Sequence, residues 1–368
     1  MSSPTLPHPT RRYEILTGLV ILGLAFGSFF VGEIGLRVIQ FVKFGVQKDV
    51  ESSSAFYTDE KTGLRLIRPN QQLGRIRINN LGYRGPDVPA KKPAGVIRFV
   101  FMGSSTTYDA ASPEGRNWPH LTVSLIAKAL PHCRFDFINA GQPGFGTETI
   151  TRLYDARLRR LEPDIAVILP GDINQDLDWL TAQQGFDTVH YRPSTLAELS
   201  VLWAKVEKNF RIIELQRNAF SRKGKVRLEL PLLADRFSGR LSKLTSMLRQ
   251  DGVTAVVAKI GSRLRPGQSQ QDQIQAANSA MFFMPKVALP DMIATRLGFN
   301  RVIETMAPRT GFDVLDSALN IPPDLNHYTD SIHFTPEGSA LMAKATATEM
   351  LASPHVRKRL AERGCHER

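Results

Sequence analysis

"RFVFMGSSTTYDA", Arg98 to Ala110, runs a string of apolar residues straight into Gly-Ser-Ser-Thr-Thr. Gly, Ser and Thr form ordinary turns, so the hydroxyl cluster by itself could be only the end of a strand. The same pattern marks the place where α/β proteins hold reactive groups, because a strand's carboxyl end opening into a helix leaves backbone amides free to meet an anion. Neighbouring segments bear on the choice. "VIRFVFMG", "FDFINAG", "DIAVILPG" and "TAVVAKI" are short apolar runs, and "FDVLD" near the end is a further short one. They alternate with "WPHLTVSLIAKALP", "TETITRLYDARLRRL", "PDMIATRLGF" and "PEGSALMAKATATEMLA", whose patterning is helical. This alternation predicts an α/β fold with a parallel sheet covered on both faces, and ligands in such sheets bind at the strands' carboxyl ends. A long basic helical region is expected over roughly 195–250, and Arg265 to Pro285 reads as a mobile excursion with an apolar tip.

The bulk properties narrow the class. A chain of 368 residues with 42% hydrophobic content can bury a full core. Its two cysteines, Cys133 and Cys365, exclude a disulfide scaffold and have no metal-ligand spacing; Cys365 falls in a charged tail expected to fray. The net charge of +12 is concentrated, since residues 201–250 hold twelve Lys and Arg against four acids. Such a segment suits a solvated helical face, or contact with anionic lipid or polysaccharide. No zinc-finger spacing or aromatic ribonucleoprotein pattern accompanies it, so nucleic acid is not expected as a partner.

Between Glu14 and Glu33 lies "ILTGLVILGLAFGSFFVG", Ile15 to Gly32, without a charge and just long enough to span a bilayer core. Arg11 and Arg12 before it, and small residues near its end, also suit a cleaved signal peptide. An uncleaved anchor is the favoured reading, followed by an interfacial stretch. Arg37, Lys43 and Lys48 after the span offset Arg11 and Arg12, so charge gives no orientation. The expected organisation is a tail over 1–13, a transmembrane anchor over 14–35, a juxtamembrane segment and linker over 36–90, the main domain over 91–352 and a charged tail over 353–368.

Four blocks fall after strands of the expected sheet. They are Ser105 in "GSSTT"; "INAGQPGFGTET", with Gly141, Gly144 and Gly146; "ILPGDINQDLDW", with Asn174 beyond Gly171; and "YTDSIHFTPEGSAL", with Asp330 and His333 three apart before a helix opened by Pro336. One turn can hold both Asp330 and His333, so the carboxylate can fix the imidazole tautomer that a general base needs. A serine hydroxyl needs such a base at neutral pH, and a tetrahedral intermediate needs donors for its oxyanion. Gly-x-Ser-x-Gly, the nucleophile turn of α/β-hydrolases, does not occur.

Gly103-Ser104-Ser105, Asn139-Ala140-Gly141 with Gly144, Gly171 with Asn174, and Asp330-Ser331-Ile332-His333 occur in the order of the blocks of SGNH hydrolases, the GDSL-like esterases and lipases. The chain resembles that family over roughly residues 79–352, beginning with "NNLGYRG", which is similar to the lead-in of membrane-tethered bacterial members. The resemblance implies a flavodoxin-like three-layer sandwich with Ser105 as nucleophile, His333 as base and Asp330 orienting it. It also implies an oxyanion hole from the Ser105 and Gly144 N–H groups and the Asn174 side chain, with no metal or cofactor. Two positions depart from the family pattern: Ser104 stands where the family name has Asp, and Asn174 is followed by Gln175 and Asp176 instead of Asp.

The expected function is a membrane-anchored serine hydrolase acting on an acylated glycan or lipid, its catalytic domain periplasmic or extracellular. The same residues would serve an O-acyltransferase acting on cell-surface polysaccharide, and a silent glycan-binding module is the alternative without chemistry.

Overall fold

Alternate residues of "VIRFVFMG" face opposite sides of a sheet, and both sides are covered. The computed structural model describes residues 11–44, 55–188 and 191–366. In chain order the first elements are helix α1 (Arg11–Phe44), hairpin β1 (Phe56–Thr58) with β2 (Arg65–Ile67), and hairpin β3 (Gln71–Leu73) with β4 (Ile76–Ile78). Then come β5 (Val96–Gly103), the single turn α2 (Ser105–Tyr108), α3 (Trp118–Ala129), β6 (Arg134–Asn139), α4 (Thr147–Ala156), β7 (Ile165–Leu169) and α5 (Asp172–Gln183). Helices α6 (Thr195–Leu199), α7 (Val201–Arg217) and α8 (Leu230–Gln250) precede β8 (Thr254–Ala258). The chain closes through α9 (Gln270–Ala276), α10 (Asn278–Phe283), α11 (Leu289–Thr310), β9 (Asp313–Leu315), α12 (Pro336–Ala352) and α13 (Pro354–Glu362).

Five strands form one parallel sheet in the order β6-β5-β7-β8-β9. Counted from β5, that is the 2-1-3-4-5 order of flavodoxin-like folds, whose ligand crevice opens where the winding reverses, here between β5 and β7. Gly103 pairs with Leu169 at that point, so the loops after these two strands emerge side by side. Ile97, Phe99 and Phe101 of β5 point with Ile165, Val167 and Leu169 of β7 into a core closed by α3, α12 and α13. Val100, Met102, Ala166 and Ile168 point the other way, against α4, α5, α8 and α11. The sandwich has three layers, and the continuous apolar runs follow from burial on both faces.

By packing, the chain divides into two units: Met1–Val50 with Arg192–Arg211, and Glu51–Tyr191 with Ile212–Arg368. In the first, Tyr13–Val42 of α1 is long and apolar enough to cross a membrane, and α1 runs on to Phe44, past the expected anchor boundary at residue 35. Glu33 caps another helix, accepting from Ser200 Oγ (2.9 Å), Val201 N (3.1 Å) and Leu202 N (2.8 Å) at the start of α7. Arg37 Nε donates to the same carboxylate at 2.7 Å. Residues 1–10 of the expected tail, and Lys48, lie outside the described residues.

Three expectations about the larger unit are corrected. Within the expected linker, Leu64, Leu66, Tyr83 and Val88 enter the core beside the sheet, and the Arg84 backbone bridges to Asn139 of β6. The excursion Arg265–Pro285 folds into α9 and α10, with Ala276, Ala277 and Met281 buried. The expected frayed tail forms α13, whose Val356 and Leu360 are buried, and Cys365 beyond it is bonded to Cys133 with Cα atoms 5.7 Å apart. In the first and last cases the apolar residues were too sparse to stand out in the sequence, yet each meets a surface built by distant elements.

Part of the basic 201–250 segment is committed inward. Arg222 Nη2 meets the buried Asp291 at 2.6 Å, Lys225 Nζ donates to the Asn218 carbonyl at 2.7 Å, and Arg240 of α8 pairs with the buried Asp172 and Asp176.

Candidate active site

At the carboxyl end of β5 the chain turns into α2, with Ser104 as its cap residue and Ser105 as its first residue. His333 Nε2 lies 2.7 Å from Ser105 Oγ, and His333 Nδ1 lies 2.8 Å from Asp330 Oδ2. The three side chains therefore form one hydrogen-bonded chain, in which Nδ1–H donates to Asp330 and Nε2 accepts from the Ser105 hydroxyl. The other Asp330 oxygen, Oδ1, accepts from the backbone N–H of Ile332 and of His333, both at 2.9 Å. Burial would raise the Asp330 pKa, but the hydrogen bond and charge of His333, with those two amides, hold it below the ordinary aspartate value.

The loop that carries the pair is pinned from two directions. Ser262 Oγ and Arg263 N both donate to the Ser331 carbonyl at 2.9 Å. Ser331 Oγ accepts from Ser279 Oγ at 2.8 Å and from Ala280 N at 3.2 Å. Ser279 and Ala280 belong to α10, so the segment expected to be mobile braces the His333 loop.

The Ser105 turn is held from behind by Arg84, to which the sequence reading gave no role, and by Asn139. Arg84, in "NNLGYRG", is fully buried and spreads its guanidinium over four carbonyls: Tyr108 (2.8 Å), Asp109, Ser112 (2.5 Å) and Pro113 (3.2 Å). Its Nε lies 3.5 Å from Glu114. Asn139 Nδ2 donates to the Thr107 carbonyl at 3.0 Å, while its Oδ1 accepts from Gly141 N at 3.1 Å. Asn139 thus ties the second block to the first.

Glycine is required at Gly171 by close approach. A Cβ there would lie 2.5 Å from Ser104 Cβ and 2.7 Å from the Phe145 carbonyl. Ser104, the departure from the family's Asp, fills the space against this glycine.

Ser105, Gly144 and Asn174, the three expected oxyanion donors, line one pocket together with Asp330 and His333. Asn174 sits exposed in the first turn of α5. The two residues after it have separate tasks. Gln175 Nε2 donates to the Gly144 carbonyl, and Asp176 turns into the interior to pair with Arg240. Asp172 accepts from Thr147 N (3.1 and 3.0 Å) and from Thr147 Oγ1 (2.5 Å), locking the second block to the third. Burial raises the Asp172 pKa, and Thr147 and Arg240 counter it in part. A buried acid beside Asn174 and a distant arginine left no joint signal in the sequence.

The pocket encloses about 470 Å³ and its walls are largely apolar, with Ile260, Leu264, Met284 and Met292 among the lining residues.

No family model matches the sequence, and no curated protein does. Among solved structures, the chain is similar to an acetylxylan esterase, Axe2, from Geobacillus stearothermophilus, at 13% identity and a TM-score of 0.42, covering 70% of this chain and 95% of that one. It is also similar to a lipolytic protein of the G-D-S-L family from Desulfitobacterium hafniense DCB-2, at 12% identity and a TM-score of 0.40, covering 68% of this chain and 98% of that one.

Proposed function

We propose that this protein is a serine esterase that cleaves oxygen esters through an acyl-Ser105 intermediate. The observation that carries the reading is the unbroken hydrogen-bonded chain from Ser105 Oγ through His333 to Asp330 inside an apolar pocket. His333 Nε2 takes the Ser105 proton as Oγ adds to the ester carbonyl carbon, and the carbonyl π pair moves onto oxygen. The Ser105 and Gly144 N–H groups and the Asn174 carboxamide are the donors for that oxyanion. Collapse of the intermediate expels the alcohol, which takes the proton from His333 Nε2. Water then adds to the acyl-serine with His333 again as base, releasing the acid. Asp330 keeps the imidazole in the tautomer that both steps need and stabilises the imidazolium formed within each of them.

In this reading α1 anchors the enzyme in a membrane, with the catalytic unit on the periplasmic or extracellular side. The Cys133–Cys365 bond supports that side, because disulfides persist in oxidising compartments.

The test is labelling of the full-length protein, in detergent, with a fluorophosphonate probe. Wild type is expected to label, with Ser105→Ala losing the label entirely and His333→Ala reacting slower by about a thousandfold or more. Undiminished labelling of Ser105→Ala would overturn the assignment.

A further inference from the structure

An arginine buried without a carboxylate carries a large desolvation penalty, and the pocket wall holds one. Arg296 of α11 is only 6% exposed and lines the cavity that contains Ser105 and His333. Its Nη1 donates to the Leu264 carbonyl. Among the described residues, Nε and Nη2 have no hydrogen-bond partner and no carboxylate pairs with the group. Among the described residues, the two other arginines buried to this degree are both compensated: Arg84 has Glu114 at 3.5 Å, and Arg98 has Asp136 at 2.7 Å.

Arg98 also illustrates what the open edge of Arg296 is suited to take. Its Nε and Nη2 grip the two oxygens of Asp136 side by side at 2.9 and 2.7 Å, the bidentate geometry that matches a guanidinium edge to a carboxylate. Arg296 keeps that same Nε and Nη2 edge free, beside apolar Leu264 and Met292. Among the described residues no carboxylate neutralises it, and the buried Tyr328 phenol opposes the effect of burial only in part. Asp330 is committed to His333 and two amides, and Arg265, whose own guanidinium is taken up by the carbonyls of Ser262, Leu319 and Ile321, adds a like charge. Burial first, and Arg265 second, lower the Arg296 pKa to about 10, which leaves it a cation at neutral pH.

We propose that Arg296 is a specificity-determining residue and that the esters taken by this pocket carry a carboxylate, on the acyl chain or on the alcohol. The proposal rests on the esterase reading of the site. A carboxylate in the pocket completes the missing ion pair, and a neutral substrate leaves a buried cation uncompensated.

The experiment compares kcat/KM of the full-length protein for matched esters. In the acyl arm these are p-nitrophenyl butyrate and mono-p-nitrophenyl succinate; in the alcohol arm, an O-acetylated methyl glucoside and the corresponding glucuronoside, followed by acetate release. Wild type is expected to prefer the carboxylate-bearing ester by about tenfold or more in at least one arm, and the arm identifies which side carries the charge. Arg296→Gln is expected to bring that ratio towards one, while Arg296→Lys keeps part of it. A wild-type ratio near one in both arms would overturn the proposal, whether or not the variants fold, as would a preference that survives in Arg296→Gln. If Ser105 fails to label and no ester turns over, the esterase reading is the part that falls. Calorimetric titration of wild type with monomethyl succinate and with methyl butyrate then decides the carboxylate question: tighter binding of the former supports it, and equal binding overturns it.

Discussion

At the residue scale, two aspartates near the candidate site, Asp330 and Asp109, have opposite electrostatics. Asp330 is held below the ordinary value, so the stability it contributes is present above its unfolded pKa and is lost as pH falls through the lower folded one. Asp109, at the end of α2, is almost wholly buried, and burial raises its pKa against the opposing effect of Ser339, Arg84 and the Trp118 amide. The sign is reversed. The stability associated with Asp109 is complete below its unfolded pKa, about 3.9, and is lost as pH rises through the raised folded value. Asn accepts from the Trp118 amide without ionising, and it tolerates the left-handed backbone that Asp109 adopts at φ 58°. Asp109→Asn should therefore gain stability relative to wild type as pH rises above about 4, measured as the Tm difference at each pH. A Tm difference independent of pH would contradict the buried, titrating carboxyl. The serine, histidine and aspartate of the site were legible because Ser105 opens α2 and Asp330 and His333 stand three apart in the loop leading into α12. Asp109, Arg84 and Arg296 were not legible, because their roles come from burial, and no local pattern records which polar residue becomes buried.

At the scale of elements, α2 is a single turn and cannot hold its own geometry. Its last carbonyls are gathered by Arg84, which arrives from the segment between β4 and β5. Arg84→Lys keeps the charge but replaces a planar fork by one ammonium, leaving some of the four carbonyls without a donor. Each buried carbonyl so stranded costs about 1–3 kcal/mol, so Tm should fall by several degrees. The fluorophosphonate reaction of Ser105 should also slow well below that Tm, because α2 loses its brace. A lowered Tm with an unchanged labelling rate would make Arg84 a packing residue only. The five strands of the parallel sheet and the helix Pro336–Ala352 were readable from their runs and caps, and the structure starts and ends that helix where the sequence suggests. Helices α9 and α10 were missed, since "QSQQDQIQAANSAMFF" is polar at one end and apolar at the other and has no helical stripe of its own. They are stabilised by the surface of the Ser331 loop and the core, through Ser279, Ala280 and Met281.

At the scale of the whole molecule, one covalent link joins residues 232 apart in sequence, from the start of β6 to the end of α13. Closing so long a loop restricts the unfolded chain, with a stabilisation of about 2–4 kcal/mol. Thermal unfolding with and without a reductant should show a lower Tm in the reduced protein, and Cys133→Ser should match the reduced state. Equal Tm values with the bond intact before reduction would argue against that contribution. Sequence alone determined the apolar amino-terminal helix, the alternation that makes a parallel α/β sandwich, and the four blocks in their order. These are periodic or local properties, written in neighbouring residues. The tertiary structure alone decided that the Cys365 tail is bonded, that part of the supposed linker enters the core, that "GSSTTYDA" is clasped by Arg84, and that Arg296 stands in the pocket without a carboxylate. Each of those depends on which distant surfaces meet, and burial and electrostatic compensation exist only once they have met.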